Sequence, residues 1–371
     1  VLCHHRRATM SPHQLLLLGV SGPKLTPEEA ALYRELQPGG FVLFTRNLVN
    51  ARQTRQLTDE LRTLCRTPPF IAIDNEGGRV WRTAPFVPAP PSPEQLRRKG
   101  DASLIARAGW ATGRLLDLLG INFNLAPVLD IDHLPGASNA LRGRCWGESD
   151  QEVITNAGVF NRWQRRQRIL GCAKHFPAGG RAANDPHHDL PVVEMDTDEL
   201  QRSDLIPYTA LMPELDAIMI SHLHFPRIDK DGLPASLSRN IIQGLLRDRL
   251  GFDEHLVLTD DLDMGAIQQG YGTPEAARLA IEAGGDLVLL CHEFMNARQT
   301  LAALQELPGP VLCDTDTRIE KARKRLRIPP EFSEEKLTDI AGDLFKLRKD
   351  VLGEESDPDT DGPPQSPVED Y

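Results

Sequence analysis

The architecture of this chain turns on one stretch, Leu170-Gly171-Cys172-Ala173-Lys174-His175-Phe176-Pro177-Ala178-Gly179-Gly180-Arg181-Ala182-Ala183-Asn184-Asp185-Pro186-His187-His188. Its first four residues are short, apolar and uncharged, and read as a buried strand. The glycines, prolines and polar residues behind them read as a loop. The strand exits on Lys174-His175, and Asp185 stands two residues before His187. An Asp beside a His fixes the imidazole tautomer and raises its basicity, which makes His187 a candidate proton shuttle near neutral pH. The competing reading is a polar surface loop with incidental histidines. The rest of the chain has to separate the two.

Working outward, the same alternation of apolar run and helical stretch recurs. Leu15–Leu18, Gly40–Phe44, Phe70–Ile73 and Phe123–Val128 precede the central run, and Ala217–Ile220, Leu256–Leu258 and Asp286–Leu290 follow it. Helical patterns lie between them: one opening at Pro27-Glu28-Glu29, then Arg52–Leu64, Ala102–Leu119, Gln151–Arg168, Asp198–Leu211, Arg239–Leu250 and Thr273–Ala283. A Pro-rich loop, Pro85–Pro93, is long enough to be functional. Eight strand-like runs alternating with helices predict an α/β fold, a (β/α)8 barrel of the TIM type, as a single domain over residues 11–350. The alternative is a doubly wound open sheet, but Gly19-Val20-Ser21-Gly22-Pro23 does not match the Gly-rich turn that usually follows its first strand. Residues 1–10 read as an N-terminal extension ahead of a start at Met10. Residues 351–371 read as a disordered acidic tail, with seven acids, no bases and several prolines from Gly353 onward.

Composition narrows the partners. The chain has 371 residues, 40% hydrophobic, with a formal net charge of -11. That length can bury a sizeable core, and the acidic balance argues against nucleic acid or an anionic membrane as partner. No apolar run is long enough to span a bilayer, and the leucines at 15–18 read as a strand, not a signal segment. Cys3, Cys65, Cys145, Cys172, Cys291 and Cys313 are widely spaced with no CxxC, and read as reduced cytosolic thiols. The expectation is a cytoplasmic monomer acting on a small molecule without cofactor or metal.

In a barrel, catalytic groups lie at the C-terminal ends of the strands. The third run ends Asp74-Asn75-Glu76-Gly77-Gly78-Arg79-Val80-Trp81-Arg82, the fourth in Asp130 and the fifth in Lys174-His175. The sixth ends Ser221-His222, the seventh Thr259-Asp260-Asp261-Leu262-Asp263-Met264 and the eighth Cys291-His292. Buried strands that nearly all end in charged or imidazole groups are hard to explain as folding devices. Each group still has a plain structural role available. Asp261 can cap the next helix, Gly77-Gly78 can serve a tight turn, His222 can be a satisfied barrel histidine, Arg144 can brace a loop, and Asp130 reads best as a hydrogen-bond hub.

Two chemistries fit the set. Metal-assisted hydrolysis would gather His175, His187, His188, His222 and Asp260 on one face, but barrel metallohydrolases typically carry His-x-His after the first strand, where this chain has Gly19. Glycoside hydrolysis needs a carboxylate nucleophile and a separate proton donor. Asp260 on a strand end would be the nucleophile. His187 would protonate the leaving oxygen and then activate water. Lys174, Arg82, Arg144 and Asp74 would hold sugar hydroxyls or an N-acetyl group.

Read together, these motifs resemble glycoside hydrolase family 3, in particular its bacterial β-N-acetylglucosaminidases of peptidoglycan recycling. The resemblance runs from about Leu15 to Leu326. Gly40–Asn47 is similar to that family's second strand and its exit. Ile73-Asp74-Asn75-Glu76-Gly77-Gly78-Arg79-Val80 resembles AVDQEGGRV, and Ala126–Asp130 repeats APVLD. Lys174–Pro177 through Asp185-Pro186-His187 keeps the spacing of KHFPGHG…DSH, and Thr259–Met264 resembles SDDLSM. The resemblance implies that Asp260 is the nucleophile and His187 the acid/base, with Asp185 its partner. It implies that Asp74, Arg82, Arg144, Lys174 and His175 bind the terminal sugar, and His222 at the sixth strand end joins them as a candidate. The substrate implied is a GlcNAc-containing muropeptide. The chain departs from the pattern in three motifs. Ala178-Gly179-Gly180 replaces Gly-His-Gly, Pro186 replaces a small Ser or Thr, and Asn75 replaces Gln. Neither catalytic group is removed. The alternatives are another family-3 exoglycosidase, a phosphorylase of the same subgroup, and a non-catalytic sugar-binding barrel.

Overall fold

Strands covered on both faces are selected for unbroken apolar sequence, and all eight apolar runs become strands of one closed parallel barrel. The computed structural model describes residues 12–135, 139–182 and 190–353. In chain order its elements are β1 (Leu16–Gly19), α1 (Pro27–Leu36), β2 (Gly40–Leu43), α2 (Ala51–Leu64) and β3 (Phe70–Ile73). A hairpin of β4 (Asn75–Gly77) and β5 (Val80–Trp81) follows, then α3 (Pro93–Lys99), α4 (Ala102–Leu118), β6 (Phe123–Asn124), α5 (Asp150–Arg165) and β7 (Leu170–Phe176). Next come α6 (Thr197–Gln201), α7 (Ile206–Leu211), β8 (Ala217–Ile220), a π-helix (Asn240–Arg249) and β9 (Leu256–Asp261). The chain continues through α8 (Gly265–Gln268), α9 (Thr273–Glu282), β10 (Leu287–Leu290), α10 (Ala297–Gln305), α11 (Gly309–Arg323) and α12 (Glu334–Leu352).

The barrel order is β1-β10-β9-β8-β7-β6-β3-β2, with β1 also pairing with β2 to close the ring. Two apolar clusters fill the molecule. One joins β1, β2, β3 and β10 to the helices around them, and the other centres on β7, β8, α5 and α7. Outside the barrel, the β4–β5 hairpin turns on Gly77 and Gly78, at φ 109 and 56. Positive φ of this kind is open to glycine at little steric cost. Gly78 N–H donates to the Pro90 carbonyl, which seats the hairpin against the Pro-rich stretch.

Several boundaries differ from the sequence reading. The fourth barrel strand stops at Asn124; beyond it the carbonyls of Ala126 and Pro127 still accept from the N–H groups of Cys172 and Lys174, and Val128 forms an isolated bridge to Lys174. Conversely β7 runs on through Lys174 and His175, and β9 through Asp260 and Asp261, so those polar residues are strand-borne. The helix expected over Asp198–Leu211 is two helices. The chain turns at 202–205, and Pro207 sits in the first turn of α7, where a missing N–H costs nothing. The helix α12 extends to Leu352, two residues into the range read as tail. Residues 354–371, like residues 1–10, lie outside the described residues. The reading of every cysteine as a thiol is corrected at Cys313, which is disulfide-bonded. Spacing along a chain says nothing about distance across it. Cys65, Cys145, Cys172 and Cys291 are free. No helix is long and apolar enough to cross a membrane among the described residues.

Candidate active site

The C-terminal ends of the strands open into a cavity of about 940 Å³, mouth included. Its charged lining comes from five segments: Asp74 directly after β3, Glu76 on β4, Arg144 from the stretch after β6, Lys174 and His175 on β7, and Asp260 and Asp261 on β9. Lys174 Nζ donates to Asp74 Oδ1 at 2.6 Å and reaches Glu76 Oε1 at 2.7 Å. Arg144 forks onto the same Glu76, Nε to Oε2 and Nη2 to Oε1, each at 2.8 Å. Arg82 Nη2 stands 3.7 Å from Asp74 Oδ2. Arg82, Asp74, Lys174, Glu76 and Arg144 thus form a row of five side chains of alternating sign, all buried.

Burial sets the electrostatics of this row, and pairing reverses it. Desolvation pushes the Glu76 carboxyl up, but Arg144 and Lys174 outweigh it and hold the group well below the ordinary carboxylate range. Desolvation likewise disfavours charged Lys174, yet Asp74 and Glu76 raise its pKa. A charge buried this deeply is tolerated only with such partners. The hairpin shapes the neighbouring wall too. Arg79 Nη2 donates to the carbonyls of Asn139 and Ala140 at 3.1 and 2.7 Å, and Arg144 Nη1 to that of Ala140 at 3.1 Å.

Asp130 is the hydrogen-bond hub that its position suggested. Its carboxylate accepts from His175 N–H at 3.1 Å, from His175 Nδ1 at 2.7 Å and from Gly180 N–H at 3.2 Å. His175 Nδ1 is therefore a donor, and Nε2 points toward Arg144 Nη2 at 3.5 Å. His222 lines the cavity, but Nε2 donates to the Asp261 carbonyl at 2.8 Å and Nδ1 pairs with the Ser236 hydroxyl at 2.7 Å. It ties β8 to β9 and offers the cavity its ring.

Asp260 lies at the cavity, half-buried, with Oδ1 accepting from Asp261 N–H at 2.9 Å. Its neighbour Asp261 is deeper. Asp261 Oδ1 accepts from the N–H groups of Asp263 and Cys291, at 3.1 and 3.2 Å, which stitches β9 to β10. Burial, then the nearby Asp263, push the Asp261 carboxyl well up. His292 stands with Nε2 3.6 Å from Asp261 Oδ2 and its ring against Phe44. Burial and then Arg46 push its imidazole down to about 4.

Of the residues singled out from sequence, Asp74, Arg144, Lys174, His175, His222 and Asp260 meet around one cavity. Arg82 is buried behind Asp74, with its guanidinium 5.4 Å from the centre of the Phe44 ring, and is not in the lining. Asp185 and His187 lie outside the described residues, as does His188. Ala182, the last described residue before them, lines the cavity. Glu76 is the functional residue that sequence alone does not mark, because a carboxylate inside a Gly-rich turn carries no signal of the two cations it meets, Lys174 and Arg144. Among the described residues, no group of three or more His, Cys, Asp and Glu side chains is arranged to hold a metal ion.

The model of the glycosyl hydrolase family 3 N-terminal domain matches residues 11–326. A beta-hexosaminidase of Methylococcus capsulatus is 35% identical over 288 residues, 76% of this chain and 84% of that protein. Among solved structures, a family 3 beta-N-acetylglucosaminidase from Paenibacillus sp. is 32% identical, with TM-score 0.83 over 92% of this chain and 69% of that one. NagZ from Neisseria gonorrhoeae is 26% identical, with TM-score 0.76 over 90% of this chain and 97% of that one.

Proposed function

The chain belongs to glycosyl hydrolase family 3, and from that membership we propose that it removes terminal β-N-acetylglucosamine with retention of configuration. Asp260 attacks the anomeric carbon and forms the glycosyl-enzyme. His187 gives its proton to the leaving oxygen, then takes one from the water that releases the sugar. Asp185 orients the imidazole and favours its protonated form. Asp74, Lys174, His175 and Arg144 hold the terminal sugar, with Arg82 behind Asp74. The natural aglycone is a muropeptide from peptidoglycan turnover, and the enzyme works as a cytoplasmic monomer.

One observation carries this reading. Asp260 shares a single cavity with the Asp74–Lys174–Glu76–Arg144 row, so a carboxylate with a half-exposed face stands beside fixed donors and acceptors. A preorganised site of this kind suits a transition state that develops positive charge at the ring and must be held without reorganisation.

The test is a chromogenic β-N-acetylglucosaminide beside the matching β-glucoside, each with and without phosphate. The proposal expects turnover of the first only, unchanged by phosphate. Preference for the glucoside would redirect the substrate, sugar phosphate as product would make the enzyme a phosphorylase, and no turnover at all would leave a sugar-binding barrel. In Asp260→Asn the fold should persist while nearly all turnover is lost. In His187→Ala an activated aryl substrate should show a burst of phenol, and azide, which needs no general base, should speed the second step.

A further inference from the structure

Asp204 is a buried carboxylate that the chemistry above does not use. It lies in the turn between α6 and α7 with its side chain 3% exposed. His133 Nε2 donates to its Oδ1 at 2.7 Å. Arg181 donates to Oδ2 from Nε at 3.0 Å, with Nη2 at 2.9 Å, and the Ser203 hydroxyl donates to the same oxygen at 2.8 Å. Burial pushes the carboxyl up, and the hydrogen bonds from His133 and Arg181 more than reverse this.

Two of these donors, His133 and Arg181, come from the two stretches that wall the cavity. His133 belongs to the stretch after β6, which continues to the lining residues Asn139, Leu141 and Arg144. Arg181 follows β7 and stands between the lining residues Gly179 and Ala182, four residues before Asp185. Asp130 already ties the same two stretches closer to the barrel, through His175 and Gly180. Asp204 adds a second tie further out, from a third segment. Two ties at different residues fix the relative orientation of two stretches, where one would let them pivot.

We propose that Asp204 is a positioning residue for glycoside cleavage: through Arg181 and His133 it sets residues 179–182, the stem that leads in sequence to the acid/base segment. The proposal rests on the reading of Asp185 and His187 as acid/base dyad. A plain brace for the fold would slow all substrates alike. A residue that positions a proton donor matters most where the leaving group needs the proton, because an activated phenolate departs with little help.

The test uses the full chain, with Asp204→Asn as first variant. It keeps the side chain's shape and removes its charge. Arg181→Gln is the second, since that arginine side chain is 30% exposed and its loss leaves no cavity in the core. Each is assayed on an activated aryl β-N-acetylglucosaminide and on an alkyl one, beside wild type and His187→Ala. Expected is a loss in kcat/KM on the order of 10- to 100-fold for the alkyl substrate, the scale of a misplaced catalytic group. For the aryl substrate the loss should be no more than about threefold, as His187→Ala should also show in its first step. If both variants slow the two substrates equally, or neither substrate, while His187→Ala discriminates, the positioning role is overturned and the dyad stands. If His187→Ala does not discriminate, His187 is not the acid/base, and the positioning role falls with that reading whatever Asp204→Asn and Arg181→Gln do.

Discussion

Glu76 holds Lys174 and Arg144 at 2.7 and 2.8 Å, so its removal leaves two buried cations short of a counter-charge. Glu76→Gln should cost about 3–5 kcal/mol in denaturant unfolding, the usual scale for breaking a buried pair from one side. It should also raise KM, because Lys174 and Arg144 lose their fixed geometry. Since the folded pKa of Glu76 is depressed, its contribution is complete above the unfolded carboxylate pKa and fades as pH falls through the lower folded value. Stability against pH should therefore fall less steeply for Glu76→Gln than for wild type below about pH 4. His292 acts in the same direction in a higher window. Its imidazole is lowered from 6.5 to about 4, so the unfolded chain binds a proton that the folded one refuses, and stability is lost as pH falls through that interval. His292→Gln should flatten melting temperature against pH there; an unchanged slope would contradict the assignment. The cavity histidines also bear on metals. His222 Nε2 is spent on the Asp261 carbonyl and His175 Nε2 faces a guanidinium, which disfavours a cation at either ring. Prolonged chelation should leave turnover unchanged, and activity lost to chelator and restored by zinc would sink this mechanism.

At the scale of elements, the strand ends away from the cavity carry a second set of buried charges. Asp286, just before β10, accepts from Val257 N–H at 2.8 Å and pairs with Arg247 and Arg318, each at 2.8 Å. Asp216, just before β8, accepts from Gly171 N–H at 3.0 Å and pairs with Arg165 and Arg325. These carboxylates pin neighbouring strands in register. Asp286→Asn should lower unfolding free energy by about 3–5 kcal/mol and leave KM within error, the reverse of what a pocket residue does. Gly19 makes a similar point by close approach: a Cβ there would stand 1.9 Å from the Cys291 carbonyl oxygen. Gly19→Ala must push β1 and β10 apart, and should be recovered as poorly folded protein in a thermal melt. The sequence signalled strands such as Phe70–Ile73 and Ala217–Ile220 to the residue, because an apolar run with turn residues at both ends has few other fates. The β4–β5 hairpin was hidden, since two short strands around Gly77-Gly78 leave no periodicity to read. The break between α6 and α7 was hidden too, because Asp204 turns inward for partners 71 and 23 residues away.

For the molecule as a whole, the ring of strand-end polar groups could be read in advance because barrel geometry sends all eight ends to one face. Which of them touch could not be, since that depends on side-chain reach across the mouth. Nor was the last helix foreseen. The α12 helix buries Ile340, Leu344, Leu347 and Val351 and crosses α4, with Arg107 and Arg114 of α4 paired to Asp350 and Asp343. Arg348 donates to the Ala89 carbonyl at 3.0 Å, so the helix also supports the Pro-rich stretch on which the hairpin rests. Ending the chain before Ser333 should remove about 1.5–3 kcal/mol for each buried aliphatic side chain, and the midpoint in urea should drop accordingly. The truncated barrel should also bind sugar more weakly, because the support beneath Glu76 goes with the helix. Unchanged affinity in a folded truncation would show that hairpin and helix are independent.

The five-membered row of alternating charge constrains how this pocket can change over time. Each interior member serves two opposite neighbours, so substituting one alone strands the charges on both sides. Removing an adjacent pair together strands fewer. Glu76→Gln with Arg144→Met should therefore be less damaging than the sum of the single changes, with a coupling of about 0.5–3 kcal/mol in a double-mutant cycle. Such sign-dependent epistasis makes the row an evolutionary ratchet. Descendants that alter sugar preference will replace its members two at a time, or leave them alone and diversify the walls around them.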